Sequence, residues 1–224
     1  MDNFDAIDFN LNFNNFNPND IQVEETINAV FVVDISPSIT TYAKDLNFAF
    51  NDFTQTMQKS HVAEQLMVSL VTFNENVEVV SGFQPINQVP TANFVPKGSG
   101  TALYQAVAQG AKMAVDYRQN LEASGVTTKT LLFVITDGDD NSSTVNAKQV
   151  KTILEGIAEQ EKNAFSFTTI LFGVGNATSF EQAQKAMGIQ HLAKVGTSGA
   201  EIRKMITFIS QSISKTAGNT QITF

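Results

Sequence analysis

Three short stretches of this 224-residue chain carry the residue types that hold a hard cation. The first is Asp34-Ile35-Ser36-Pro37-Ser38, the second Pro96-Lys97-Gly98-Ser99-Gly100-Thr101, the third Thr136-Asp137-Gly138-Asp139-Asp140-Asn141. Carboxylate and hydroxyl oxygens suit Mg2+ or Mn2+, which favour octahedral oxygen coordination and retain some of their water. Asp34 and Asp137 carry two negative charges, enough to balance a divalent ion. Taken singly, each residue has a plainer reading. An Asp at a strand end often caps the following helix, and Ser38 and Thr101 suit the same role. The weight lies in their joint occurrence.

These stretches can meet only if the fold brings them together, and the apolar pattern supplies such a fold. Ile27–Val33 is a nearly continuous apolar run, as in a strand buried on both faces. From Ser38 the period turns helical, with Leu46, Ala49, Phe50, Phe53 and Met57 on one side. Leu66–Phe73 and Val77–Phe83 are separated only by Asn74-Glu75-Asn76, a connection short enough for an antiparallel hairpin. Pro90, Pro96, Gly98 and Gly100 mark a loop before a helix bearing Leu103, Ala106, Val107, Gly110 and Met113.

Leu131–Ile135 reads as a further buried strand, followed by a helix through Val150, Ile153, Leu154 and Ile157. Phe165–Val174 is another strand. A short helix near 179–187, a weak strand near Gln190–Val195 and a last helix through Ile202, Met205, Ile206, Ile209 and Ile213 complete the chain. Alternating strands and helices predict an α/β domain over residues 23–217. It is a doubly wound, mostly parallel six-stranded sheet with one antiparallel edge strand and helices on both faces. In such sheets ligands bind beyond the C-terminal strand ends, where the strand order reverses. All three stretches stand at such ends.

Composition narrows the chemistry. With no cysteine, disulfides, thiolate metal sites and a cysteine nucleophile are excluded. The two histidines, His61 and His191, are read as surface or packing residues. The net charge of −8 opposes a nucleic-acid surface, which needs clustered Lys and Arg. No apolar run reaches the length of a membrane span, and Met1-Asp2-Asn3-Phe4-Asp5 is acidic where a signal peptide is basic. A cytoplasmic protein contacting neither nucleic acid nor membrane is therefore expected.

The charge is uneven. Seven acids and no base precede Lys44, whereas residues 44–224 carry 14 basic and 15 acidic residues. Residues 1–22 form an Asn/Phe-rich arm, with Ile7, Phe9, Leu11 and Phe13 at period two. The arm reads either as a disordered tail or as a strand-adding segment through which copies self-associate. Residues 218–224 are a short tail.

D-x-S-x-S after the first strand, Gly-Thr before a helix and T-D-G after the fourth strand resemble the von Willebrand factor A domain with its metal-ion-dependent adhesion site. The likeness spans about residues 25–217. It implies that Ser36 and Ser38 ligate Mg2+ (or Mn2+) directly, while Asp34 orients water and the serines. Thr101 and Asp137 would contribute directly or through water. Pro37 stands where relatives most often have Gly, which stiffens that loop. Asp139 and Asp140 receive no role from the pattern.

The cysteine-free composition is similar to short intracellular prokaryotic members, such as the tellurite-resistance-associated type. The resemblance implies a protein-interaction module whose partner offers an Asp or Glu to the metal, and not an enzyme. The competing readings are an assembly protein working through its arm and, more distantly, a Mg2+-dependent hydrolase. Against catalysis stand the missing P-loop, the missing G-x-S-x-G elbow and the failed EF-hand pattern at Asp137-x-Asp139-x-Asn141.

Overall fold

The β-branched and aromatic run at the start of the described chain folds as the central strand that its composition requires. A computed structural model describes residues 25–160 and 166–218. The expected arm, residues 1–22, and nearly all of the 218–224 tail lie outside the described residues. The strands are β1 (Glu25–Asp34), β2 (Leu66–Phe73), β3 (Val77–Pro85), β4 (Thr127–Thr136), β5 (Phe167–Val174) and β6 (His191–Val195). The helices are α1 (Ala43–Gln58), α2 (Leu103–Ala123), α3 (Ala147–Gln160), α4 (Phe180–Met187) and α5 (Gly199–Ala217).

The six strands lie in the order β3-β2-β1-β4-β5-β6. Only the β2–β3 pair is antiparallel, as the three-residue connection demands. The order reverses between β1 and β4, which are adjacent and parallel, so their C-terminal ends open side by side.

Because β1 is buried on both sides, alternate residues serve two cores. Ile27, Ala29, Phe31 and Val33 pack with α1 and α5, and Val30 and Val32 with α2 and α3. The first core is built on phenylalanine: Phe31 meets Phe50 edge-on at a centroid distance of 5.0 Å and Phe53 at 5.3 Å. Ring packing of this kind adds to the area term. On the other face α2 approaches the sheet at Gly110, where a Cβ would come within 2.8 Å of Val32 Cγ2. Glycine is what lets that helix sit so close.

Two boundaries differ from the sequence expectation by four residues or more. The helix expected from Ser38 begins at Ala43, preceded by a 3-10 helix over Pro37–Thr41. Pro37 opens that turn with its fixed φ, and Thr40 donates its hydroxyl to the Pro37 carbonyl at 2.6 Å. Strand β4 also starts earlier than the apolar run at Leu131, because Lys129 is drawn inward. Its Nζ lies 2.6 Å from Glu25 Oε1 and donates to the Thr216 carbonyl at 3.1 Å, tying β1, β4 and the end of α5 together. Among the described residues no helix is long and apolar enough to cross a membrane.

Candidate metal centre

Strand β1 delivers Asp34 to the sheet's C-terminal edge almost wholly buried, at 1% exposure. A carboxylate so placed needs donors, and each oxygen has one. Oδ1 accepts the Ser36 backbone N–H at 2.8 Å, closing a turn over Ile35, and Oδ2 accepts the Thr136 hydroxyl at 2.7 Å. The second bond crosses from β1 to β4, so the two strand ends on either side of the topological switch are fastened through Asp34.

From there the hydroxyls follow in sequence. Ser36 Oγ lies 2.9 Å from Ser38 Oγ, and Ser38 donates to Asp137 Oδ1 at 2.6 Å. Ser36 takes extended angles (φ −63°, ψ 162°) directly before the proline-led turn, which directs both serines toward β4. Neither serine caps a helix. Asp34, Ser36, Ser38 and Asp137, four of the five residues singled out from the sequence, therefore share one hydrogen-bonded network.

Thr101 is brought to the same rim by its backbone. Its N–H donates to Asn141 Oδ1 at 2.8 Å, and its carbonyl accepts from the N–H groups of Asn141 (2.9 Å) and Ser142 (3.2 Å). Among the described residues no hydrogen bond links its side chain to the Asp34–Asp137 network. Nor does Thr101 cap α2, whose N-cap position is Ala102 without a side-chain acceptor. The cap comes from the third loop. Asp140 Oδ1 accepts the Tyr104 N–H at 3.1 Å, Ser143 Oγ accepts the Gln105 N–H at 2.9 Å, and Ser143 donates to Asp140. Asp140 thus has a structural role that the motif did not provide, and Asp139 stands exposed.

Two further contributors were missed. Thr136 was quoted only as part of a motif, yet it is fully buried and donates its hydroxyl to Asp34 Oδ2. Tyr42 is buried, and burial first, then the charge of nearby Asp137, disfavours ionisation of its hydroxyl, which finds no hydrogen-bond partner of ordinary geometry among the described residues. Nothing in the spacing of Tyr42 points to the site. Thr101 suits the cap of α2 by sequence, so no sequence signal marks Asp140 for that role.

The electrostatics call for a cation. Burial pushes the Asp34 carboxyl above its usual range; hydrogen bonds from Thr136 and Ser36 pull it back, and the charge of Asp137 adds to the rise. Burial likewise raises Asp137, opposed by the hydrogen bond from Ser38. Among the described residues no Lys or Arg pairs with either. His61 precedes β2 at the opposite end of the sheet, and His191 lies on β6. Uncompensated buried carboxylates are costly, and a divalent ion would remove that cost.

The donor set fits such an ion. Around Mg2+ at 2.0–2.1 Å, adjacent octahedral ligands sit about 2.9 Å apart, and the Ser36–Ser38 separation is 2.9 Å. Among the described residues no cluster of three or more His, Cys, Asp or Glu could hold a metal. The oxygen donors gathered here are two carboxylates together with neutral hydroxyls.

No family model and no curated protein matches this chain. Solved structures do. The pilus adhesin SpaC of Lactobacillus rhamnosus GG, in its open conformation, superposes with a TM-score of 0.60 at 13% identity over 85% of this chain and 30% of its own. A von Willebrand factor type A protein from Catenulispora acidiphila gives 0.59 at 15% identity, covering 87% and 43%. Proximal thread matrix protein 1 from the mussel byssus, with a zinc-occupied metal-ion-dependent adhesion site, gives 0.56 at 13% identity, covering 85% and 48%. This chain thus spans less than half the length of each. At such identities the likeness is one of architecture, and the fold of this chain is the von Willebrand factor type A fold.

Proposed function

We propose that this chain is a divalent-metal-dependent protein-interaction module. Asp34, Ser36, Ser38, Thr101 and Asp137 would hold Mg2+ or Mn2+, and a partner's Asp or Glu would take a remaining position. The observation that carries the reading is a buried carboxylate, Asp34, and a half-buried one, Asp137, without a basic partner among the described residues, joined through two serine hydroxyls at the switch point of the sheet. The zinc-occupied site of the byssus matrix protein supports divalent-metal binding on this fold, and the pilus adhesin supports an adhesive use of it.

When bound, the ion supplies a concentrated positive charge that attracts a carboxylate. The chain's own residues do the rest. Asp34 fixes the Ser36 backbone, Thr136 fixes Asp34, and Ser38 and Asp137 hold each other. With Ser36 and Ser38 as direct ligands and the carboxylates acting through water, the charge of an ion would be only partly cancelled at close range, which favours binding of an acidic partner over catalysis. The proposal extends to the short intracellular prokaryotic group, including the tellurite-resistance-associated type, supported by the motif set and the cysteine-free composition.

Calorimetric titration with Mg2+ and with Mn2+ tests the site. The parent should bind and Ser36→Ala/Ser38→Ala should not. A parent that ignores both ions at millimolar concentration, or a double variant that binds equally well, would sink the reading. Recovery of an acidic partner from host extract in Mg2+, and its loss on chelation, tests the interaction.

A further inference from the structure

The turn between β2 and β3, Asn74-Glu75-Asn76, reads from sequence as a bare hairpin connection. In the structure it grips the loop that carries Thr101. Asn74, only 6% exposed, donates its side-chain amide to the Lys97 carbonyl at 3.2 Å, and its own carbonyl accepts the Ala102 N–H at 2.6 Å. These contacts bracket the loop at both ends. Between them, Glu75 Oε2 accepts the Ser99 N–H at 2.8 Å and the Gly100 N–H at 3.4 Å.

The turn itself is pre-shaped for this. Asn74 Oδ1 accepts the Asn76 N–H at 2.8 Å, and the Asn74 N–H donates to the Asn76 carbonyl at 3.0 Å. The loop answers with Gly98 at φ +91°, where a Cβ would collide with the Glu75 carboxylate and the Asn74 amide. A hairpin needs none of these outward bonds to reverse its direction. Two consecutive amides converging on one carboxylate oxygen form a nest for an anion, here filled from within the chain. Hydrogen bonding from Ser99 holds the Glu75 carboxyl below its usual range, so it accepts as a carboxylate at neutral pH.

We propose that Glu75, presented by the Asn74–Asn76 turn, is a positioning residue that fixes the Ser99–Thr101 backbone so that Thr101 meets the metal centre in a set geometry. The proposal rests on the metal-site reading for its effect on affinity, but not for its effect on the loop. On the far side Asn141 and Ser142 hold the Thr101 backbone, so Glu75 acts as one jaw of a clamp whose other jaw belongs to the third loop. Partners of ligand-bearing groups commonly alter metal affinity about 10–100-fold when removed.

The experiment compares Glu75→Ala and Glu75→Gln with the parent, by Mn2+ calorimetry, by thermal melting and by amide hydrogen exchange of the metal-free protein. Gln keeps the acceptor but not the charge, so it separates positioning from attraction for the cation. Expected are about tenfold weaker Mn2+ binding for Glu75→Ala, faster exchange at Ser99 and Gly100, and a nearly unchanged Tm. Glu75→Gln should stay within about twofold of the parent, as its amide oxygen still accepts. Parent-like binding and exchange in Glu75→Ala would overturn the proposal, and so would equal losses in Ala and Gln, which would mark a charge effect. If the parent binds no metal, the metal-site reading fails, and the exchange measurement still decides whether Glu75 holds the loop.

Discussion

Thr136→Val probes the centre of the site with little change of shape. Thr136 has no exposure, and its hydroxyl gives Asp34 Oδ2 its side-chain hydrogen bond at 2.7 Å. Valine replaces that hydroxyl with a methyl group and leaves one oxygen of a buried carboxylate without the donor. A hydrogen bond to a charged group contributes about 1.5–3 kcal/mol, so the metal-free domain should lose about 2 kcal/mol. For a domain of this size that corresponds to a fall in Tm of about 4–8 °C.

The same bond is the largest of the hydrogen-bond effects that lower the Asp34 carboxyl. Its loss should push that carboxyl higher and weaken Mg2+ binding by about tenfold, as loss of an outer partner commonly does. Melting in chelator and calorimetry in Mg2+ measure the two effects. Thr136→Ser is the control, since it keeps the hydroxyl and should keep most of the affinity. A valine variant with parental Tm and affinity would refute the claim that Asp34 depends on this donor. A serine variant as weak as valine would shift the cause to packing.

Two further outcomes are expected. Both Asp34 and Asp137 titrate above their usual range in the folded, metal-free domain; such groups contribute stability that is full below the unfolded value, about pH 4, and is lost as pH rises through the folded value. Mg2+ affinity should therefore fall as pH is lowered from neutrality through the raised carboxyls, and the stabilisation by Mg2+ in thermal melts should grow toward neutrality; pH-independent affinity would contradict the raised carboxyls. Asn28→Leu should stabilise the domain by about 1–2 kcal/mol in urea denaturation, because the Asn28 side chain is fully buried and neither its Nδ2 nor its Oδ1 has a hydrogen-bond partner among the described residues; a destabilised variant would mean that the amide is satisfied by a water or another partner.

The periods of apolar residues revealed the elements because burial on one helix face or on both strand faces is a local requirement written into spacing. Ile27–Val33 could be little other than a central strand, and Asn74–Asn76 was too short for anything but a hairpin. Of the two boundaries that differed most, one was set by a partner distant in sequence and the other by a local turn. Strand β4 begins at Thr127 because Lys129 reaches Glu25, a residue over a hundred positions away. α1 begins late because Pro37 and Thr40 form a tighter turn first.

For the site, the sequence by itself determined the chemistry: two carboxylates and three hydroxyls, with no thiol and little imidazole, leave an all-oxygen donor set. It also determined where these could stand, since each motif follows a strand or precedes a helix whose identity the pattern shows. Only the tertiary structure decided which of them touch and what supports them. The Ser38–Asp137 and Thr136–Asp34 bonds each span about a hundred residues, and the capping of α2 by Asp140 and the gripping of the Thr101 loop by Glu75 involve polar residues without periodicity. Hydrogen bonds between loops follow from the packing of the sheet and its helices and leave no repeat in the sequence. That is why the oxygen-bearing residue types were legible in advance and the scaffold that brings them together was not.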